Sequence, residues 1–230
     1  ETLLTTDEIV KIIEIAVSQG ITEVRLTGGE PLLRPDIVEI VARISALENA
    51  PDLSMTTNGV ALAKVAKDLA KAGLQRINIS LDTLDWERFK RLTFRDRYDD
   101  VIEGIAAARA AGLAPIKINT VLMRDINGDE AIPLLKWALK ENLNLRFIEQ
   151  MPLDAGDAWT RLNLITADEI FNQLNSEFEL MPVDNRGSSP AEEFLVNGGP
   201  AKVGIIGSVT RPFCAACDRL RLTSDGQLRS

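Results

Sequence analysis

The chain has 230 residues, 26 Lys and Arg against 34 Asp and Glu (formal net charge −8), 45% hydrophobic residues, no histidine and two cysteines. With a mean hydropathy of 0.00, this fits a soluble globular protein of one large or two small domains. It excludes a disulfide framework and the usual histidine proton shuttle or zinc site, and it argues against a broad nucleic-acid surface. A small anion in a cationic pocket stays open. No apolar run nears the roughly 20 residues of a membrane span and no signal peptide opens the chain, so the expected compartment is the cytoplasm, with no membrane or nucleic-acid partner.

Thr5 and Glu8 read as a capping box ahead of a helix over 6–19. A strand over 21–27, a helix over 36–48, a strand over 53–57, a helix over 60–72 and a strand over 76–81 follow. A helical stretch runs to about 111, then come a strand over 116–122, a helix over 129–141 and a strand over 145–149. Gly20, Gly73 and Gly112 stand just after helices, as C-terminal stops do. Five strands separated by helices predict an α/β fold with a parallel sheet, doubly wound or closed as a barrel, over residues 1–150. Residues 151–230 read as a small appended α+β region. A second capping box at Thr166 and Glu169 starts a helix over 166–177, and shorter strands follow near 179–183, 193–196 and 202–208. Both ends run directly into predicted elements, which predicts the core of a longer protein.

Alternation sorts each strand into two faces. Ile21, Glu23, Arg25 and Thr27 share one face, as do Ser54, Thr56 and Asn58; Asn78, Ser80 and Asp82; Lys117 and Asn119; and Arg146 between Leu145 and Phe147. Covering helices require the apolar faces, so the polar faces look into a barrel or cleft. An ordinary barrel fills its interior with branched apolar residues, and a polar interior is unstable unless it serves a ligand. A sheet with one solvated face would show the same alternation. Three cations on the inward parity of an acidic chain, Arg25, Lys117 and Arg146, favour an anionic, phosphorylated ligand.

The stretch "LTGGEPLLR" (26–34) ends the first strand. Its glycines let a ligand approach the backbone, and Pro31 fixes the exit from the strand. Gly-Gly-Glu-Pro at this place resembles the motif by which radical S-adenosylmethionine (SAM) enzymes hold the amino group of SAM. In order along the chain, "RLTGGEPLLR", "TTNG" (56–59), "RINISLD" (76–82), "IKIN" (116–119), "RFIEQM" (146–151) and "FCAACDRLRLTSDG" (213–226) resemble the molybdenum cofactor biosynthesis protein A family of GTP 3′,8-cyclases.

The resemblance implies an incomplete TIM-type (β/α)6 barrel lacking its first strand, with the C-terminal sheet packed across the open side. It implies SAM binding by Gly29, Glu30, Ser80 and Met151. It implies GTP contacts from Arg25, Thr56, Lys117, Arg219 and Arg221, with Arg146 as a further phosphate or substrate contact. Arg219 and Arg221 alternate with Leu220 and Leu222, which suits a paired guanidinium grip as well as a solvated edge strand; Met151 would also serve as core filler. Two 4Fe–4S clusters are implied as cofactors beside SAM. Cys214 and Cys217 would bind the second, with a third thiolate that falls, by the family's spacing, immediately after Ser230. In the implied reaction a 5′-deoxyadenosyl radical takes the ribose 3′ hydrogen of GTP and the substrate radical attacks guanine C8. An external electron donor, a downstream cyclic pyranopterin monophosphate synthase and a homodimer belong to the same implication.

The chain has no Cx3CxxC loop for the SAM-cleaving cluster and lacks the paired-glycine tail seen in many members of the family. The residues alone therefore imply a chain unable to turn over by itself. Three other readings remain open: a peptide-modifying radical SAM enzyme with an auxiliary cluster, a zinc-dependent barrel lyase or hydrolase using the CAAC turn, and a cluster-less nucleotide-binding protein.

Overall fold

The computed structural model describes residues 3–152, 159–184, 186–213 and 217–229. The chain divides into two compact units. One comprises Glu1–Ser80, Arg97–Ile116 and Arg219–Ser230; the other comprises Leu81–Asp96 and Lys117–Asp218.

In the first unit, α1 (Thr6–Ser18) begins at the expected capping box, with Thr5 accepting from the Glu8 N–H and Glu8 answering on the Thr5 N–H. Strands β1 (Glu23–Leu26), β2 (Asp52–Thr57) and β3 (Arg76–Ser80) pair in parallel. Helices α2 (Ile37–Ser45), α3 (Leu62–Lys71) and α5 (Tyr98–Ala110) belong to the same unit. Apolar residues recur at helical spacing and are buried: Ile37, Ile40, Val41 and Ile44 on α2, and Leu62, Ala66 and Leu69 on α3. The odd-parity residues Leu53, Met55, Ile77 and Ile79 are at most 1% exposed, so the apolar faces are the covered ones. Helix α5 passes so close to the start of α3 that a Cβ on Gly104 would lie 2.5 Å from the Gly59 carbonyl oxygen. Strands β9 (Arg221–Leu222) and β10 (Leu228–Arg229) form a hairpin, which the Leu4 N–H ties to the Ser224 carbonyl at 2.8 Å.

The second unit holds α4 (Trp86–Thr93), α6 (Ala131–Lys140) and α7 (Ala167–Asn175), the last starting at the expected Thr166–Glu169 capping box. Strand β4 (Ile116–Val121) pairs in parallel with β5 (Asn144–Ile148). Strands β6 (Leu180–Pro182), β7 (Glu192–Val196) and β8 (Lys202–Ile206) complete its sheet. The C-terminal sheet is continuous with the α/β strands: β8 pairs in parallel with β5, and β7 and β6 add antiparallel to it. The helical stretch expected to run to about 111 is two helices, α4 and α5. Phe94, in the left-handed region at φ 55°, ends α4.

Candidate functional site

The candidate residues fall into two sets, one on each unit. On the first unit, register aligns Arg25 with Ser54 and Arg76, and the next polar row pairs Thr56 with Asn78. The Asn78 carboxamide donates to Thr56 Oγ1 at 3.1 Å. Ser80 ends β3 and is exposed. Arg76 is neutralised where the strands begin, at 2.6 Å from Asp52 and 3.5 Å from Glu23. Arg25 makes no ion pair among the described residues. Although Arg25 is an exposed residue, partial desolvation, and then the charges of Arg219 and Arg76, hold its guanidinium below its ordinary pKa against the opposing pull of Glu23. A cation crowded by two others is a ready partner for a polyanion. Arg221, on β9, is exposed.

The Gly-Gly-Glu-Pro loop has a rigid half and an open half. Glu30 caps a single 3-10 turn (Pro31–Leu33). Its Oε1 accepts from the Leu32 N–H at 3.0 Å and from Thr57 Oγ1 at 2.7 Å, and its Oε2 accepts from the Asn58 N–H at 2.7 Å. The Glu30 carboxylate therefore ties the loop to the end of β2. Beside it, Gly28 and Gly29 are exposed, and a Cβ on either would meet nothing within 4 Å. That open backbone fits a SAM molecule lying against it.

On the second unit, Lys117 and Asn119 share the polar face of β4, and Asn119 aligns with Arg146 on β5 and Gly204 on β8. The opposite-face residues Ile118, Thr120, Leu145 and Phe147 are at most 1% exposed. A Cβ on Gly204 would lie 3.1 Å from Arg146 Cγ, so the arginine stem leans across the glycine toward β8. Glu149, 1% exposed, is an anchor that its sequence context did not reveal. Its carboxylate accepts from the N–H groups of Ala167 (2.6 Å), Val209 (2.7 Å) and Thr210 (2.8 Å), and from the Thr210 hydroxyl. It thereby holds the start of α7 and the loop leaving β8. A glutamate just past a strand whose alternate residues, Leu145 and Phe147, are buried was the one available signal. Met151, two residues on, is 41% exposed rather than core filler. At the start of this unit Asp82 accepts one bond, from the Val121 N–H at 2.8 Å, and burial pushes its pKa up to about 6.

Cys217 is exposed, and Cys214 lies outside the described residues. Among the described residues no three His, Cys, Asp or Glu side chains converge on a metal position. Two cysteines are fewer than the three or four thiolates of a 4Fe–4S cluster, so the residues present do not complete one. A cavity of roughly 370 Å³ in this unit has Phe171, Phe194, Arg186 and Arg211 in its wall. Both of its arginines pair with Glu192, which leaves it no cation without an acidic partner.

Residues 1–138 match the model of the radical SAM superfamily, and residues 143–230 match that of molybdenum cofactor synthesis C. The chain belongs to the radical SAM superfamily. A GTP 3′,8-cyclase of Streptomyces coelicolor is 59% identical over 99% of this chain and 68% of its own length. One of Mycolicibacterium smegmatis is 50% identical over 100% of the chain and 65% of its length. The chain thus spans about two thirds of the length of these curated relatives. A radical SAM methyltransferase from Sphaerobacter thermophilus superposes with a TM-score of 0.59 at 18% identity, covering 98% of this chain and 62% of that one. Streptococcus suis SuiB bound to its precursor peptide SuiA gives 0.61 at 21% identity, over 76% of this chain and 39% of that one. These superpositions establish the α/β radical SAM fold expected from the sequence. Family membership brings an iron–sulfur cluster and SAM as cofactors. No helix among the described residues is long and apolar enough to cross a membrane.

Proposed function

We propose that this chain belongs to a GTP 3′,8-cyclase, which converts GTP to (8S)-3′,8-cyclo-7,8-dihydroguanosine 5′-triphosphate in the first step of molybdenum cofactor synthesis, and that the chain by itself does not turn over. The observation that carries this reading is Arg25, a guanidinium on the polar strand face with no ion pair among the described residues and pressed by Arg219 and Arg76. In an acidic chain 59% identical to a GTP 3′,8-cyclase, this is where a triphosphate is wanted.

Arg25, Thr56, Arg219 and Arg221 on the first unit, and Lys117 and Arg146 on the second, are assigned to GTP. Gly29 and Ser80 on the first unit and Met151 on the second are assigned to SAM, with Glu30 shaping the loop that presents Gly29. SAM, when bound, supplies the radical chemistry; this chain's residues bind the two nucleosides, orient them and keep water away. A second 4Fe–4S cluster at Cys214, Cys217 and a third thiolate outside this sequence belongs to the same reading. So do an external electron donor, the downstream cyclic pyranopterin monophosphate synthase, a homodimer and a cytoplasmic location.

Calorimetric titration of the chain with GTP tests the assignment. Arg25→Ala is expected to weaken GTP binding by about tenfold or more, the usual loss for a charge-assisted phosphate contact, and to leave SAM binding unchanged. GTP binding equal in the variant and the parent would remove Arg25 from the site. In the cluster-loaded whole protein, the product should carry the mass of GTP at a different chromatographic position. Turnover of a peptide instead of GTP would overturn the reading.

A further inference from the structure

Strands β9 and β10 have two residues each and form a sheet of their own. A ribbon that short has no stability by itself. It nevertheless carries Arg221, with Arg219 two residues before. The charge of Arg219 reaches Arg25 on β1, so like charges push the ribbon off the strand face and a tether must oppose them. Among the described residues, one main-chain hydrogen bond ties the ribbon to the rest of its unit: the Leu4 N–H donates to the Ser224 carbonyl at 2.8 Å. The Leu4 side chain lies against the same turn, where a Cβ on Gly226 would be 3.3 Å from Leu4 Cδ2.

Leu4 is held in turn from its other side. Its carbonyl accepts from Arg34 Nη1 at 3.0 Å. The same guanidinium donates through Nε and Nη2 to the two carboxylate oxygens of Asp36, at 2.7 and 2.9 Å, and the Thr6 hydroxyl also donates to Asp36. Arg34 ends the 3-10 turn that leaves the Gly-Gly-Glu-Pro loop, with its N–H donating to the Pro31 carbonyl at 3.1 Å. A planar fork with three donors engaged, set on a fixed turn, makes a rigid clamp. Asp36 supplies its counter-charge, so this guanidinium serves the fold rather than a phosphate. Arg34, Leu4 and the hairpin all belong to the first unit.

We propose that Arg34 is a positioning residue: through Leu4 it holds the β9–β10 hairpin where Arg221 meets the bound nucleotide. The proposal rests on the functional reading above, which assigns Arg221 to GTP.

The experiment is a double-mutant cycle on GTP binding, read by calorimetry well below the melting temperature of each protein. Arg34→Ala and Arg221→Ala should each weaken GTP about tenfold, the loss of one charge-assisted contact. The double variant should bind no more weakly than Arg221→Ala alone, because a misplaced arginine and an absent one forfeit the same contact. A residue that merely stabilised the fold would leave GTP affinity unchanged, or its loss would add to that of Arg221→Ala. Leu4→Pro deletes the donor to Ser224 and leaves Arg34 its acceptor. It should reproduce the GTP loss, and it decides the matter if Arg34→Ala does not fold. Parental GTP affinity in Arg34→Ala or in Leu4→Pro, or additive losses in the double variant, would overturn the proposal and leave the functional reading standing. Parental affinity in Arg221→Ala would remove Arg221 from the GTP site and the proposal with it. A parent chain that did not bind GTP would sink both.

Discussion

Two carboxylates close to strand ends in the second unit show how the number of donors decides a residue's character. Glu149 receives three N–H groups and a hydroxyl, whereas Asp82 receives one N–H and is otherwise desolvated. With its folded pKa at about 6 and an unfolded value near 4, Asp82 keeps its proton longer in the folded chain. Stability from this group is therefore fully present below about pH 4 and declines as pH rises to about 6. Thermal unfolding followed from pH 4 to 7.5 should show that decline, and Asp82→Asn should flatten it, raising the melting temperature at pH 7.5 but not at pH 4. A variant no more stable than the parent at pH 7.5 would argue against a raised pKa. Glu30 makes a related point: its carboxylate is occupied by Leu32, Thr57 and Asn58, which makes the neighbouring glycine backbone the open surface.

At the level of elements, the strands behave as two-faced ribbons whose apolar side is buried and whose polar side carries the candidate site. What holds those ribbons to their loops is a small number of long-range hydrogen bonds. Glu149 is the clearest, joining the end of β5 to the first residue of α7 and to Val209 and Thr210 beyond β8. A glutamine there offers one acceptor oxygen to four donors. Glu149→Gln is expected to lose about 2 kcal/mol of stability, read from the denaturant midpoint, and to raise proteolytic cleavage after residue 206 before the fold is lost. A variant with an unchanged midpoint would mean that the loop is held by its other contacts.

For the molecule as a whole, charge is the organising quantity. A net charge of −8 coexists with arginines and a lysine gathered on polar strand faces, so nucleotide affinity should follow phosphate count. GTP should bind more tightly than GDP, GDP than GMP, and guanosine least. Raising salt from about 0.05 to 0.5 M should weaken GTP far more than guanosine, because screening acts on the charged contacts. A guanosine affinity matching that of GTP would count against the cationic site.

Much of this protein is legible without coordinates. The alternation in "RINIS" and "IKIN" and the spacing of Ile37, Ile40, Val41 and Ile44 set which faces are buried. The two capping boxes place the starts of α1 and α7, and strand parity puts Arg25, Thr56, Ser80, Lys117 and Arg146 on the faces opposite the apolar ones. All of these are short-range consequences of backbone geometry, in which a residue's neighbours along the chain decide its direction. The break at Phe94 and the pairing of β8 with β5 were not readable, nor were the partners of Glu30 and Glu149. Each depends on which distant backbone groups arrive beside a side chain, and only the folded chain decides that.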